Sequence, residues 1–362
     1  MRNKLPSFRV MLVGAVLLAT GAFVAFQHAG GSRVTYLPLL SYKNTTESGA
    51  SLGQVEEVDR AQPVPGSDLL AESARRVLEL PSVECKIRQR VDLFGQQLTG
   101  VGSYQQWSPN DMQRTRVRWE LKFQVGENMA SLQQINDGRF FWTRRDLPGE
   151  QSLSRVDLRT VRDVLNREKR LPADAVLRNW MALGGLSRLM HGLHENFNFG
   201  WAQPRIVDTT PVWVLVGTWN PVVLAELAPA AKTLLEQGRS VPIDRLPAHL
   251  PDLIVVVLSR DPRLPTFPYR IEYRRTMRGA ARGTSADESA ETDAPEIDAD
   301  TPRLNSLTNT MEIAVIDLYE VNLDTDLEPQ QFVYQPPSSQ EAVDDTERFL
   351  LQTLTPPPSD NE

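Results

Sequence analysis

A curled, mainly antiparallel β-domain with inserted helices, an α+β architecture carried behind an N-terminal membrane segment, is what this sequence predicts. Three observations predict it. Seventeen uncharged residues near the start, Val10 to Phe26, follow Arg2, Lys4 and Arg9. From Val83 onward, several stretches alternate apolar and polar residues with period 2, the pattern of half-buried strands. Stretches of helical period interrupt these strands and do not form a separate block, so helices and sheet share one core.

The elements follow in order. Basic residues ahead of an apolar run orient it with its start in the cytoplasm. Residues 1–9 are therefore expected to be a basic cytoplasmic N-terminus, and 10–26 a transmembrane anchor at the lower limit of spanning length, with a cleaved signal segment as the alternative. Either way the rest of the chain is expected outside the cytoplasm. The expected location is the inner membrane, single-pass, with the C-terminal domain in the periplasm or cell envelope. Residues 27–66, rich in Gly, Ser, Thr and Pro, read as a flexible linker. A domain over 67–354 follows, and 355–362 is expected to be a frayed, proline- and acid-rich tail.

Within the domain, Leu69, Leu70, Ala74, Val77 and Leu78 share one stripe of a helix that begins at Ser67 and ends at Pro81. Val83, Cys85, Ile87, Val91 and Leu93 then alternate with polar residues as a first long strand. Gly95-Gln96-Gln97 turns the chain back into Leu98 to Trp107. On the third strand Val117, Trp119, Leu121, Phe123 and Val125 face one way, and Arg116, Arg118, Glu120, Lys122 and Gln124 the other. Met129–Ile135 and Arg139–Arg144 form a hairpin about Asn136-Asp137-Gly138, and Leu153–Leu158 adds a strand. Helices are expected over Arg159–Lys169, over Asp174–Asn196 and over Pro221–Gln237. Further strands are expected at Ala202–Val207, Val212–Trp219, Leu253–Leu258, Tyr269–Thr276 and Thr310–Leu323. Met277–Arg303 carries seven acids against three Arg and no apolar pattern, so a disordered insertion is expected there. Ten or so long strands exceed what an open sheet holds flat, so the sheet should curl.

Charge and composition exclude several classes of function. The net charge is −7, with an acidic C-terminal stretch, which argues against a nucleic-acid partner. The single cysteine, Cys85, rules out an intrachain disulfide and a multi-cysteine zinc cluster. It sits in an apolar register, as a buried inert thiol does. His191-Gly192-Leu193-His194-Glu195 places two histidines three apart, which is not the metalloprotease spacing, and no third ligand is identifiable. The sequence shows no nucleophile elbow and no phosphate-cradling glycine loop. No catalytic residue, metal or cofactor is therefore expected, and the chain does not read as an enzyme.

Three stretches resemble a known family. They are Arg118-Trp119-Glu120 on the third strand, Asp137-Gly138-Arg139-Phe140-Phe141-Trp142 as a DG-x-x-x-W hairpin, and Phe332-Val333-Tyr334-Gln335-Pro336-Pro337 followed by Val343-Asp344-Asp345. Their order and spacing, with the succession of helix, strands, two helices and strands over roughly 67–350, resemble the LolA/LolB-like periplasmic lipoprotein carriers in a divergent, membrane-tethered form. The resemblance implies an incomplete, eleven-stranded antiparallel barrel with a helical lid, holding acyl chains in an apolar interior. Trp107-Ser108-Pro109 stands where the family often has an Arg before the proline. The inserts 221–251 and 277–303 have no counterpart role in the family.

Under that resemblance the lining of a lipid cavity would be Val117, Trp119, Leu121, Phe123 and Trp142, and the lid would contribute Trp180, Leu183 and Met190. The expected partners are lipid or lipoprotein acyl chains, together with the inner membrane through the N-terminal helix. The alternative is a structural or protein-partner-binding envelope protein whose curled sheet is filled by side chains. Both readings demand the same alternation, so the residues alone leave them open.

Overall fold

The computed structural model describes residues 64–355, apart from 278–306 and positions 94–95, 110, 112–113, 126, 169–171, 173, 208, 248–249, 308, 324 and 339. The expected membrane segment 10–26, nearly all of the linker and of the acidic insertion, and the tail beyond 355 lie outside the described residues. Among the described residues no helix is long and apolar enough to cross a membrane.

The chain enters through a short strand, β1 (Val64–Pro65), and helix α1 (Gly66–Glu79). Residues 64–66 thus belong to the domain and not to the linker, because β1 pairs with Ala202 and Trp201. A meander of long strands follows: β2 (Ser82–Leu93), β3 (Gln96–Trp107), β4 (Arg116–Val125), β5 (Asn128–Asn136), β6 (Phe140–Leu147) and β7 (Glu150–Asp157). Helix α2 (Leu158–Arg167) starts where the Asp157 side chain accepts the backbone N–H groups of Arg159 and Thr160.

The expected continuous helix over 174–196 is broken into α3 (Ala175–Arg178), α4 (Trp180–Leu183) and α5 (Leu186–Asn196). Gly184 and Gly185 cause the last break. Their φ values of 144° and 72° lie in the region that only glycine adopts freely. The apolar period continues across the break, which is why the pattern reads as one helix.

The second half brings β8 (Phe197–Phe199), β9 (Trp201–Val207) and β10 (Thr210–Trp219), then α6 (Pro221–Leu227) and α7 (Lys232–Glu236). The expected single helix over 221–237 is also split, at a 3₁₀ turn beginning at Pro229, whose ring cannot continue the helix. Strands β11 (Leu253–Ser259), β12 (Pro268–Thr276) and β13 (Thr310–Leu323) complete the sheet. A short β14 (Val343–Asp344) and helix α8 (Thr346–Leu354) close the described chain.

Among the described residues fourteen strands, not eleven, form one curled sheet in the order β1-β9-β10-β11-β12-β13-β2-β3-β4-β5-β6-β7-β14, with β8 on β10. Its pairs are antiparallel except that of β14 with β7. The path ends at β1 and β14, so the sheet is unclosed, an α+β half-barrel. Strand β11 reads Leu-Ile-Val-Val-Val-Leu-Ser without alternation and is buried at every residue. A run apolar on both faces is what a strand covered on both sides requires.

Candidate lipid-binding face

Cross-strand register assigns the residues of the concave face. Val117, Trp119, Leu121 and Phe123 of β4 stand opposite Gln106, Tyr104, Gly102 and Gly100 of β3 on one side. On the other side they face Asn136, Gln134, Leu132 and Ala130 of β5. The face continues through Cys85 and Ile87, Leu318 and Ile316, and Ile271 and Val256. All the apolar members from Cys85 to Val256 fall in one buried cluster with Leu70, Ala74 and Val77 of α1 and Met190 and Leu193 of α5.

Seven of the eight residues singled out from the sequence meet here. Val117, Trp119, Leu121, Phe123, Trp180 and Met190 are buried in the cluster, and Leu183 packs partly buried against it. At the centre are three rings. Trp119 lies 5.6 Å from Trp180 and 6.0 Å from Tyr104 between centroids, both edge-on. Such contacts add about 0.5–1.5 kcal/mol each beyond area burial.

Trp142 is the exception, and its placement is corrected. It pairs with Ile135 and Arg155, so period 2 turns it to the convex face. There it packs with Ile135 and Leu153, and its ring lies 5.1 Å from that of Tyr334. Phe141, its neighbour, takes the concave position. The Trp142 indole N–H donates to Asp137 Oδ2 at 2.8 Å, while Asp137 Oδ1 accepts the backbone N–H groups of Arg139 and Phe140. The DG-x-x-x-W motif is therefore a turn lock.

The C-terminal motif completes the same convex arrangement. Arg116 donates to Pro329 O at 2.7 Å and Arg118 to Gln331 O at 3.3 Å, Tyr334 packs on Ile135 and Trp142, and Val343–Asp344 pairs with β7, so residues 325–338 and 340–345 strap the back of β4 to β7. Asp344 accepts both the N–H and the hydroxyl of Thr346, the first residue of α8.

The helical cover is held to the sheet by few polar contacts. Tyr104 donates its hydroxyl to Gln106 Oε1 and accepts the backbone N–H of Leu186, the first residue of α5, at 3.0 Å. Burial pushes this phenol well above its ordinary pKa, so it remains a neutral donor. Asn136 Nδ2 donates to Ala182 O, and Ser187 Oγ to Ala74 O. Gln106 Nε2 and Ser108 Oγ donate to Val77 O and Leu78 O, fixing the last turn of α1 on β3. Burial likewise raises the pKa of the Cys85 thiol, which disfavours a thiolate. His191 Nε2 lies 3.3 Å from Glu195 Oε1 one helical turn on. Among the described residues, no group of three or more His, Cys, Asp or Glu is placed to hold a metal ion.

Insert 221–251 is the element whose role the sequence did not reveal. Val223, Leu224, Leu227, Ala231, Leu246 and Leu250 join the concave cluster. Arg275 of β12 gathers four carbonyls, those of Ile243, Leu246, Pro247 and Leu250, at 2.6–2.9 Å. The Trp219 indole donates to Pro251 O at 2.7 Å. The insert therefore fills the concave face at the end where β10 finishes and β11 begins. Open grooves lie elsewhere. One of about 560 Å³ runs beneath the strap at Glu84, Arg118 and Asp326. Another of about 770 Å³ lies outside on α6 and α7.

No family model matches the chain, and no curated protein matches it either. Solved structures similar to it include a DUF1329-family protein from Desulfovibrio piger, with 12% identity and a TM-score of 0.30 over 74% of this chain and 96% of that one. A domain named for outer-membrane lipoprotein sorting, from Vibrio parahaemolyticus, gives 9% identity and a TM-score of 0.28 over 73% and 94%. A LolA-superfamily protein from Nitrosomonas europaea gives 12% identity and a TM-score of 0.25 over 75% and 98%. These neighbours include the superfamily that the sequence motifs resemble.

Proposed function

We propose that the chain binds or carries lipid or lipoprotein acyl chains on its concave face, beneath the helical cover. The observation that carries this reading is the cover itself. A continuous apolar face is roofed by short helical pieces, α3 to α5, jointed at Gly184-Gly185 and tied by a handful of hydrogen bonds. Apolar packing between cover and sheet is exchangeable, since an acyl chain can replace side chains at little net cost. Each methylene removed from water contributes about 0.8 kcal/mol, so binding needs shape and apolar lining and no reactive group.

The packed trio of Tyr104, Trp119 and Trp180 supports a second reading, in which the face is permanently filled and the protein is structural or binds a protein partner. A paired substitution separates the two. Leu121 is buried on the concave face and Lys122 is exposed on the convex face. On the carrier reading, wild type binds a fluorescent fatty acid saturably, Lys122→Glu keeps that binding, and Leu121→Glu weakens it at least tenfold. A carboxylate there is either charged at a large desolvation cost or protonated, and both oppose chain insertion. Folding is followed in parallel by circular dichroism, and a folded wild type without saturable binding would sink the carrier reading.

The same proposal places the domain in the periplasm, tethered to the inner membrane by residues 10–26. The full-length protein should then stay with membranes through a carbonate wash. Recovery of a soluble form beginning near residue 26 or 30 would replace the tether with a cleaved signal.

A further inference from the structure

The concave cluster reaches the surface at a seam between the end of α1 and the β11–β12 connection, where a small cavity of about 120 Å³ opens. Val77 and Phe267 lie on its inner side, and both belong to the concave cluster. Leu80, Leu264 and Leu323 line it and pack partly buried against that cluster. Two guanidinium groups share the lining, Arg76 from α1 and Arg263 from the connection. Arg263 has 90% of its side chain exposed and pairs with Asp261, two residues before it, at 2.9 Å. Arg76 pairs with Glu72 on its own helix. Glu79 also lines the cavity but is already engaged by Arg75.

The two sides of the α1 terminus differ in chemistry. Toward β3 it is held by the hydrogen bonds from Gln106 and Ser108, with Ser108 N–H donating to Pro81 O at 2.9 Å. Toward the β11–β12 connection the inner lining is apolar, from Val77 and Leu80 to Leu264 and Phe267, with the charged side chains of Arg76, Glu79 and Arg263 beside it. Apolar contacts separate without leaving an unpaired polar group, whereas buried hydrogen bonds do not. The seam is thus the more easily parted side of the α1 terminus.

We propose that this seam is the mouth through which a single acyl chain enters, and that Arg76 and Arg263 hold the anionic head of that amphiphile at the rim. The inference rests on the acyl-binding reading above and adds the ligand class, a long chain ending in a carboxylate or phosphate. Complementarity carries it: an apolar throat continuous with the core, with cations at its lip. The cavity is well below the 300 Å³ or more of a whole-ligand pocket, so it serves as the mouth and the chain lies in the concave face behind it. The head exchanges with Glu72 and Asp261 for the two guanidiniums, and both local pairs are solvent-exposed and individually weak.

The test uses the full-length protein and displacement of a fluorescent acyl probe at pH 8 by oleate or by oleyl alcohol, which share a chain and differ in head charge. Wild type should prefer oleate. The double variant Arg76→Gln/Arg263→Gln should weaken oleate about tenfold, the loss of roughly one charge-assisted contact, and leave oleyl alcohol unchanged. Lys232→Gln, on α7 and outside the lining, should change neither. Acetate, the same head without a chain, should not displace the probe. Equal affinity of the double variant and wild type for oleate would overturn the mouth while leaving the carrier reading intact. Parallel loss of both ligands would also overturn it, as damage to the fold. Absence of probe binding by folded wild type would remove both readings together.

Discussion

Arg275→Met should release the insert. The methionine keeps a similar unbranched length, but four carbonyls lose their donor at once. Ile243, Leu246, Pro247 and Leu250 all present their oxygens to this one guanidinium within 2.9 Å. Hydrogen bonds to a charged donor are worth about 1.5–3 kcal/mol each, and water can replace only the outer ones. A loss of about 4 kcal/mol is expected, concentrated in 221–251. Hydrogen exchange there should accelerate well beyond that of the β2–β3 ladder. Arg275→Lys should recover only part of it, because an ammonium has three donors and no planar fork. Unchanged exchange over the insert in the Met variant would show that apolar packing of Leu224, Leu246 and Leu250 holds it without the latch.

Gly185→Ala is expected to unseat the cover. A Cβ at this position would lie 2.5 Å from the Tyr104 hydroxyl, 2.6 Å from Gln106 Oε1 and 2.9 Å from a Val117 methyl. None of these can retreat easily, since Tyr104, Gln106 and Val117 are fully buried. The backbone adds its own cost. With φ 72° and ψ −149° the residue sits where essentially only glycine is found. Strain of about 1–3 kcal/mol from the backbone and a similar steric contribution together give about 3 kcal/mol or more. Gly149→Ala is the control. Its φ is 76°, but nothing lies within 4 Å of an added Cβ, so only backbone strain, about 1 kcal/mol, should appear in thermal unfolding. Equal losses in the two variants would mean that crowding at the seat of α5 is relieved by movement of the cover. That result would itself show the cover to be loosely held.

Much of the fold was legible in the residues because strands declare themselves locally. Period 2 marked β2, β4 and β13 almost to their ends, and it assigned Val117, Trp119, Leu121 and Phe123 to one face without any knowledge of their neighbours. Helices were legible as apolar stripes, but their breaks were not. The apolar pattern of the helix expected over 174–196 runs through Gly184-Gly185, and only the fold required φ values of 144° and 72° there. Trp142 shows the same limit at a single residue. Its aromatic character fits a cavity wall as well as a turn lock, and its face is decided by the register of β6 against β5.

The order of strands in space, the filling of one end of the half-barrel by 221–251, and the seam at Val77, Leu264 and Phe267 arise from contacts between residues far apart in the chain. Arg275 makes the point most sharply. In sequence it is one arginine among several in Arg270, Arg274 and Arg275. The first two join the convex ion network with Glu272 and Glu312, while the third becomes the latch of the insert. Alternation along a strand is a property of the chain itself, written by the need to bury one face and wet the other. Which partner each face meets is a property of closure. It depends on long-range packing, for which no local pattern encodes the answer.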